Sequence, residues 1–114
     1  MEDCIFCKIN SGEISADIVY RDDDVNIFKD INPVAPVHLL GVLIKHITTV
    51  NELTEEDARL LGTLILKLKD VAQGYPELEK GYRIVCNCGR QSGQTVPHVH
   101  LHLLGGRRMA WPPG

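Results

Sequence analysis

Near the C-terminus of this 114-residue chain, three histidines alternate with apolar residues in the run His98-Val99-His100-Leu101-His102-Leu103. On a helix, alternate residues point about 200° apart and would not converge. On a strand they share a face, so the histidines line one side while Val99, Leu101 and Leu103 line the other. Pro97 in front and Gly105-Gly106 behind bound the run with breakers. The run therefore predicts a strand with one apolar face to bury and one face of imidazoles.

Strand geometry limits what those imidazoles do together. Residues two apart are separated by roughly 6.5–7 Å, which puts His98 and His102 about 13 Å apart along the backbone. All three cannot ligate one ion, although two neighbours could join ligands from elsewhere. A histidine nucleophile aimed at phosphorus, flanked by histidines that bind or protonate phosphate oxygens, is a coherent alternative. Packing alone is a poor reason for the row, because burying three unpaired imidazoles is costly.

Around this strand the pattern predicts an α+β domain spanning residues 1–114. Cys4 to Asn10 reads as a short N-terminal helix ended by Ser11-Gly12. Ile18–Tyr20 and Val25–Phe28 flank the Asp22-Asp23-Asp24 turn as a hairpin. Asn32-Pro33 and Ala35-Pro36 force a rigid extended loop, followed by the apolar run His38–Ile44. That run reads as a strand buried on both faces, with Gly41 a point of close backbone approach.

Thr54 can cap a helix whose first turn holds Glu55, Glu56 and Asp57. Its apolar stripe is Leu61, Leu64, Ile65, Leu68, Val71 and Ala72, and Gly74 and Pro76 stop it. Tyr82–Asn87 is a further strand, followed by a polar loop from Cys88 to Gln94. Five strands and one long helix, joined by hairpin-like connections, predict a mainly antiparallel five-stranded sheet.

Composition narrows the function. A net charge of −3 argues against a nucleic-acid polymer as partner. No apolar run approaches the roughly 20 residues that cross a bilayer. The first residues lack a signal-peptide pattern, so a cytoplasmic location is expected, with its cysteines as thiols or metal ligands. Cys4-x-x-Cys7 reads either as half of a zinc site or as two small apolar residues on a helix. Cys86 and Cys88 alternate on the predicted fourth strand as buried or edge thiols without a function. Asp30 offers two acceptor oxygens to a vicinal diol, or caps a turn before Pro33; Gly93-Gln94-Thr95 offers backbone donors to a phosphate.

The run His98 to Leu104 resembles the signature of the histidine triad superfamily, in which three histidines alternate with apolar residues. The similarity extends from Cys4-Ile5-Phe6-Cys7 through Asp30-Ile31-Asn32-Pro33 and Gly93-Gln94-Thr95-Val96 to the tail Trp111-Pro112-Pro113-Gly114. That tail is similar to the Hint branch of purine nucleoside phosphoramidases. The resemblance implies a homodimer whose two sheets join into one of ten strands. It also implies metal-independent cleavage of P–N or mixed-anhydride bonds at a purine nucleoside 5′-phosphate, through a nucleotidyl-histidine intermediate.

By that resemblance His100 is the nucleophile, with His102, His38 and His98 as the other catalytic histidines. Asn87, Gly93, Gln94 and Thr95 contact phosphate and ribose, Asp30 takes the ribose hydroxyls, and Phe6, Ile9, Phe28 and Ile31 surround the base. Bacterial relatives with the N-terminal cysteine pair imply structural zinc held by Cys4, Cys7, His46 and His98. Thr95 stands where the Hint branch usually has Ser, and the Fhit branch tolerates Gly-Gln-Thr-Val as well. The alternatives are therefore a dinucleoside polyphosphate hydrolase and a non-enzymatic nucleotide-binding scaffold.

Overall fold

The computed structural model describes residues 3–114. Helix α1 spans Ile5–Ser11, strand β1 Ile18–Arg21, β2 Val25–Lys29 and β3 Val37–Leu43. Helix α2 spans Ala58–Ala72, strand β4 Tyr82–Val85 and β5 His100–Gly105. The strands form one sheet in the order β1-β2-β3-β5-β4, and every neighbouring pair is antiparallel.

Period-two alternation sorts the side chains into two layers. Val25 and Ile27 of β2, Val37, Leu39 and Leu43 of β3, and Leu101 and Leu103 of β5 share a core with Leu64, Leu68 and Ala72 of α2. On the opposite face Phe28, Leu40 and Val42 pack with Cys4, Phe6 and Ile9 beneath α1. Strand β3 is buried along its whole length, as its unbroken hydrophobicity predicts. At Gly41 a Cβ would stand 2.9 Å from the Leu64 side chain, so the helix crosses the sheet where the strand has no side chain.

The local chemistry of each element is visible. Asp22 Oδ1 accepts from the amides of Asp24 and Val25 at 2.8 and 2.9 Å and closes the β1–β2 turn. Cys4 is the N-cap of α1, and Gly12, in the left-handed conformation, is its C-cap. Thr54 pairs with Asp57 through its amide and its hydroxyl, at 3.0 and 3.1 Å.

Four expectations need correction in detail. Glu55–Asp57 is a 3-10 turn, and the α-helix proper begins at Ala58. Ile65 is 43% exposed, because it sits at the flank of a stripe whose centre is Leu64 and Leu68. Strand β4 ends at Val85, so Cys86 and Cys88 belong to the following loop, Cys86 exposed and Cys88 half-buried. Strand β5 begins at His100, so His98 stands just outside the ladder; its amide bonds the Val96 carbonyl at 2.8 Å.

Candidate active site and metal centre

The sheet register builds the floor of a cleft. Phe28 of β2 lies opposite Leu40 of β3, Leu40 opposite His102 of β5, and His102 opposite Val85 of β4. One turn of the pleat away, Val42 lies opposite His100. The cleft encloses about 560 Å³. Phe6 and Ile9 of α1, Asp30, Ile31, Asn87 and Thr95 line it together with His38, His100 and His102. Gly93 and Gln94 are not part of that lining.

Hydrogen bonds fix which nitrogen of each imidazole carries a proton. His100 Nδ1 donates to the His98 carbonyl at 2.7 Å, which leaves Nε2 with its lone pair free. The Val34 amide donates to His38 Nδ1 at 3.1 Å, so a neutral His38 carries its proton on Nε2. That Nε2 lies 2.9 Å from His102 Nδ1 and 3.3 Å from Asp30 Oδ2. With His102 Nδ1 accepting, the His102 proton sits on Nε2. Burial, reinforced by His100 and His38, pushes His102 down to about 4, so it is neutral at pH 7. Burial also lowers His38, against the opposing pull of Asp30.

Asp30, His38 and His102 bring three donor atoms within 4.8 Å of one another, close enough for a metal ion. The Val34 amide argues for a hydrogen-bonded relay instead. Ligation through His38 Nε2 would require a proton on Nδ1, where that amide already donates. Asp30 Oδ1 accepts from the Asn32 amide at 2.8 Å as a turn cap, and the residue also lines the cleft.

The loop after β4 is braced from within by Gln94. Gln94 Oε1 accepts from the Gly89 amide at 2.8 Å, and Nε2 donates to the carbonyls of Thr48 and Val96 at 2.8 and 3.0 Å. Its side chain braces the loop, while the neighbouring Thr95 reaches the cleft. Sequence reasoning passed over Ile5, Ser15, Val85, Val96 and Leu104, which also line the cleft. The β3–β5 and β4–β5 alternation could have found Val85 and Leu104. The Val34 amide had no side-chain signal at all.

His98 has a different neighbourhood from the other two triad members. It is fully buried, and its Nδ1 lies 3.3 Å from Cys4 Sγ, 3.6 Å from Cys7 Sγ and 3.2 Å from His46 Nδ1. Cys7 Sγ is 3.2 Å from His46 Nδ1. A tetrahedral zinc site with Zn–S near 2.3 Å and Zn–N near 2.0 Å has edges of about 3.3–3.8 Å, close to these separations. His98 Nε2 donates to the Leu43 carbonyl at 2.8 Å, which directs the Nδ1 lone pair at the cluster. Burial and the adjoining Cys4 sulfur push the Cys7 thiol up to about 11, so paired thiolates here require a cation to offset them. The four residues fit a zinc ion, and His46, Cys4, Cys7 and His98 all stand outside the cleft lining.

The family model described as "Scavenger mRNA decapping enzyme C-term binding" matches residues 3–110. An uncharacterised HIT-like protein of Synechococcus elongatus is 51% identical over 113 residues, covering 99% of this chain and 98% of the relative. Among solved structures, a HIT family hydrolase from Legionella pneumophila Philadelphia 1 is 48% identical with a TM-score of 0.95, covering 98% of this chain and 100% of that one. A histidine triad protein from Clostridium difficile is 37% identical with a TM-score of 0.92, covering 96% of each chain.

Proposed function

This chain belongs to the histidine triad (HIT) family, and from that premise we propose that it is a nucleotide hydrolase of the Hint type, a purine nucleoside phosphoramidase. The observation that carries the reading is the His100 imidazole, held by the His98 carbonyl with Nε2 free in an apolar cleft that also contains a carboxylate.

The chemistry follows from the protonation pattern. His100 Nε2 attacks the phosphorus of a nucleoside 5′-phosphoramidate or mixed anhydride and forms a P–N bond as the bond to the leaving group breaks. His102, neutral with its proton on Nε2, donates a hydrogen bond to a phosphate oxygen as charge builds there, and the leaving group takes the proton it needs from solvent. His38 and the Val34 amide hold His102 in that tautomer. Water then cleaves the nucleotidyl-histidine, releasing the nucleoside monophosphate and restoring His100. Asp30 accepts from the ribose hydroxyls, while Asn87 and Thr95 meet phosphate and ribose.

Phe6, Ile9, Phe28 and Ile31 take the base between apolar surfaces, a mode that admits adenine and guanine alike. Cys4, Cys7, His46 and His98 would hold zinc, which would supply a four-point crosslink between α1, the segment after β3 that carries His46 and the segment before β5 that carries His98; metal analysis of protein purified without chelator, finding none, would refute this. Four cysteines used as thiols or metal ligands suit a reducing compartment such as the cytoplasm. Strand β4 is an edge of the sheet, suited to pairing with a second copy into ten strands. A monomer mass in sedimentation equilibrium would exclude that homodimer.

A substrate panel tests the function. Adenosine 5′-phosphoramidate is turned over faster than diadenosine polyphosphates, and His100→Ala loses about 10⁴-fold or more in turnover. A preference for the polyphosphates would favour a dinucleoside polyphosphate hydrolase. AMP binding without turnover of any substrate would favour a binding scaffold.

A further inference from the structure

Helix α1 connects the two sites. It carries Cys4 at its N-cap and Cys7 one turn on, and between them Phe6, whose ring stands edge-on to His100 at 5.0 Å and to His98 at 5.9 Å. Ile5, Phe6 and Ile9 of the same helix form a wall of the cleft. With only seven residues, α1 is far too short to hold its shape alone, since isolated helices below about 12–15 residues are marginal in water. Its position therefore depends on what fastens it.

Phe6 and Ile9 pack on Phe28, Leu40 and Val42, and Asn26 Nδ2 donates to Asn10 Oδ1 at 3.0 Å; the remaining fastenings lead to the Cys/His cluster. At the C-terminal end, Asn10 Nδ2 donates to the Leu43 carbonyl at 3.3 Å, the same oxygen that receives His98 Nε2. At the N-terminal end Cys4 and Cys7 supply the polar contacts among the described residues, reaching across to His98 and His46. The His98 main chain in turn presents the carbonyl that holds the nucleophile at 2.7 Å. One cluster thus touches both the helix that walls the cleft and the residue whose carbonyl holds the reacting ring.

We infer that the Cys4/Cys7/His46/His98 centre is a positioning device for the nucleotide cleft, holding α1 and the His98 carbonyl in register with His100 when zinc is bound. This inference rests on the metal-binding and nucleophile roles proposed above. His46 is its cleanest handle, because it belongs to the cluster without lining the cleft.

The experiment compares zinc-loaded wild type with His46→Ala and His46→Cys, following zinc content, AMP affinity by calorimetry, kcat and KM, and amide exchange along α1. His46→Ala loses zinc and exchanges faster in α1, with α2 and β5 still protected. Its AMP affinity and kcat each fall roughly tenfold. His46→Cys, which restores a fourth soft ligand, recovers zinc, affinity and kcat together.

A centre that merely stabilises the fold would lower the melting temperature of His46→Ala and leave AMP affinity and kcat within twofold of wild type. That result, with zinc lost and the fold retained, overturns the inference alone. Wild type that takes up no added zinc overturns both the inference and the metal-binding reading.

Discussion

At the scale of single residues, the site is a matter of where protons sit. His100 and His102 are two positions apart and share a face, yet their hydrogen bonds give them opposite capacities. The His98 carbonyl leaves His100 a free lone pair, and His38 leaves His102 a free N–H. His38→Ala should therefore lower kcat by roughly 10- to 100-fold with little change in KM, because it releases the His102 tautomer rather than removing a ligand contact. His38→Gln, which keeps a side-chain N–H, should recover part of the loss. An unchanged kcat in both variants would show that the relay does not govern His102. The alternation of the histidines was legible in the sequence, and so was the apolar company of Phe6 and Phe28. The relay was not, because its origin is a backbone amide at Val34, and main-chain groups leave no mark in residue identity.

At the scale of elements, the strands and the long helix were legible wherever periodicity had a single physical cause. Strand β5 alternates because one face meets α2 and the other a cleft, and β3 is continuously apolar because both its faces are covered. Boundaries were less legible. Cys86 and Cys88 share the alternation of a strand, but the ladder ends at Val85, three residues before Cys88. Ile65 shares helical spacing with the buried stripe yet lies at its rim. The Gly41 reading was sound for a steric reason that a test can reach. Gly41→Val places new atoms against Leu64 and Leu68 and should cost about 1–3 kcal/mol in urea denaturation. Shortening Leu64 to Ala in the same chain should make the Val substitution less damaging. Equal costs in the two backgrounds would mean that the helix does not press on the strand at that point.

At the scale of the whole molecule, the sheet separates two kinds of interior: an apolar core under α2, and a face of imidazoles under α1 and the cleft. Keeping imidazoles buried and neutral makes stability depend on pH. Burial holds His102 at about 4 and lowers His38, both beneath the ordinary value of 6.5. The unfolded chain therefore binds more protons than the folded one across that interval, and stability falls as pH drops from about 6.5 toward 4. Denaturation midpoints measured between pH 7 and 5 should decline, and His102→Gln should flatten the decline; a midpoint already flat in wild type would contradict the burial account. The division of the triad also belongs to this scale: the family resemblance already set His98 with Cys4, Cys7 and His46, and the fold brings those four together while His100 and His102 line the cleft. The central claim is that His100 becomes covalently nucleotidylated. Acid-free rapid quenching of enzyme with adenosine 5′-phosphoramidate, followed by peptide mass spectrometry, should find one adenylyl group on the peptide carrying His100, present within the first turnover and absent from His100→Ala. Turnover by wild type with no adduct under those conditions, or an adduct on another residue, would contradict it.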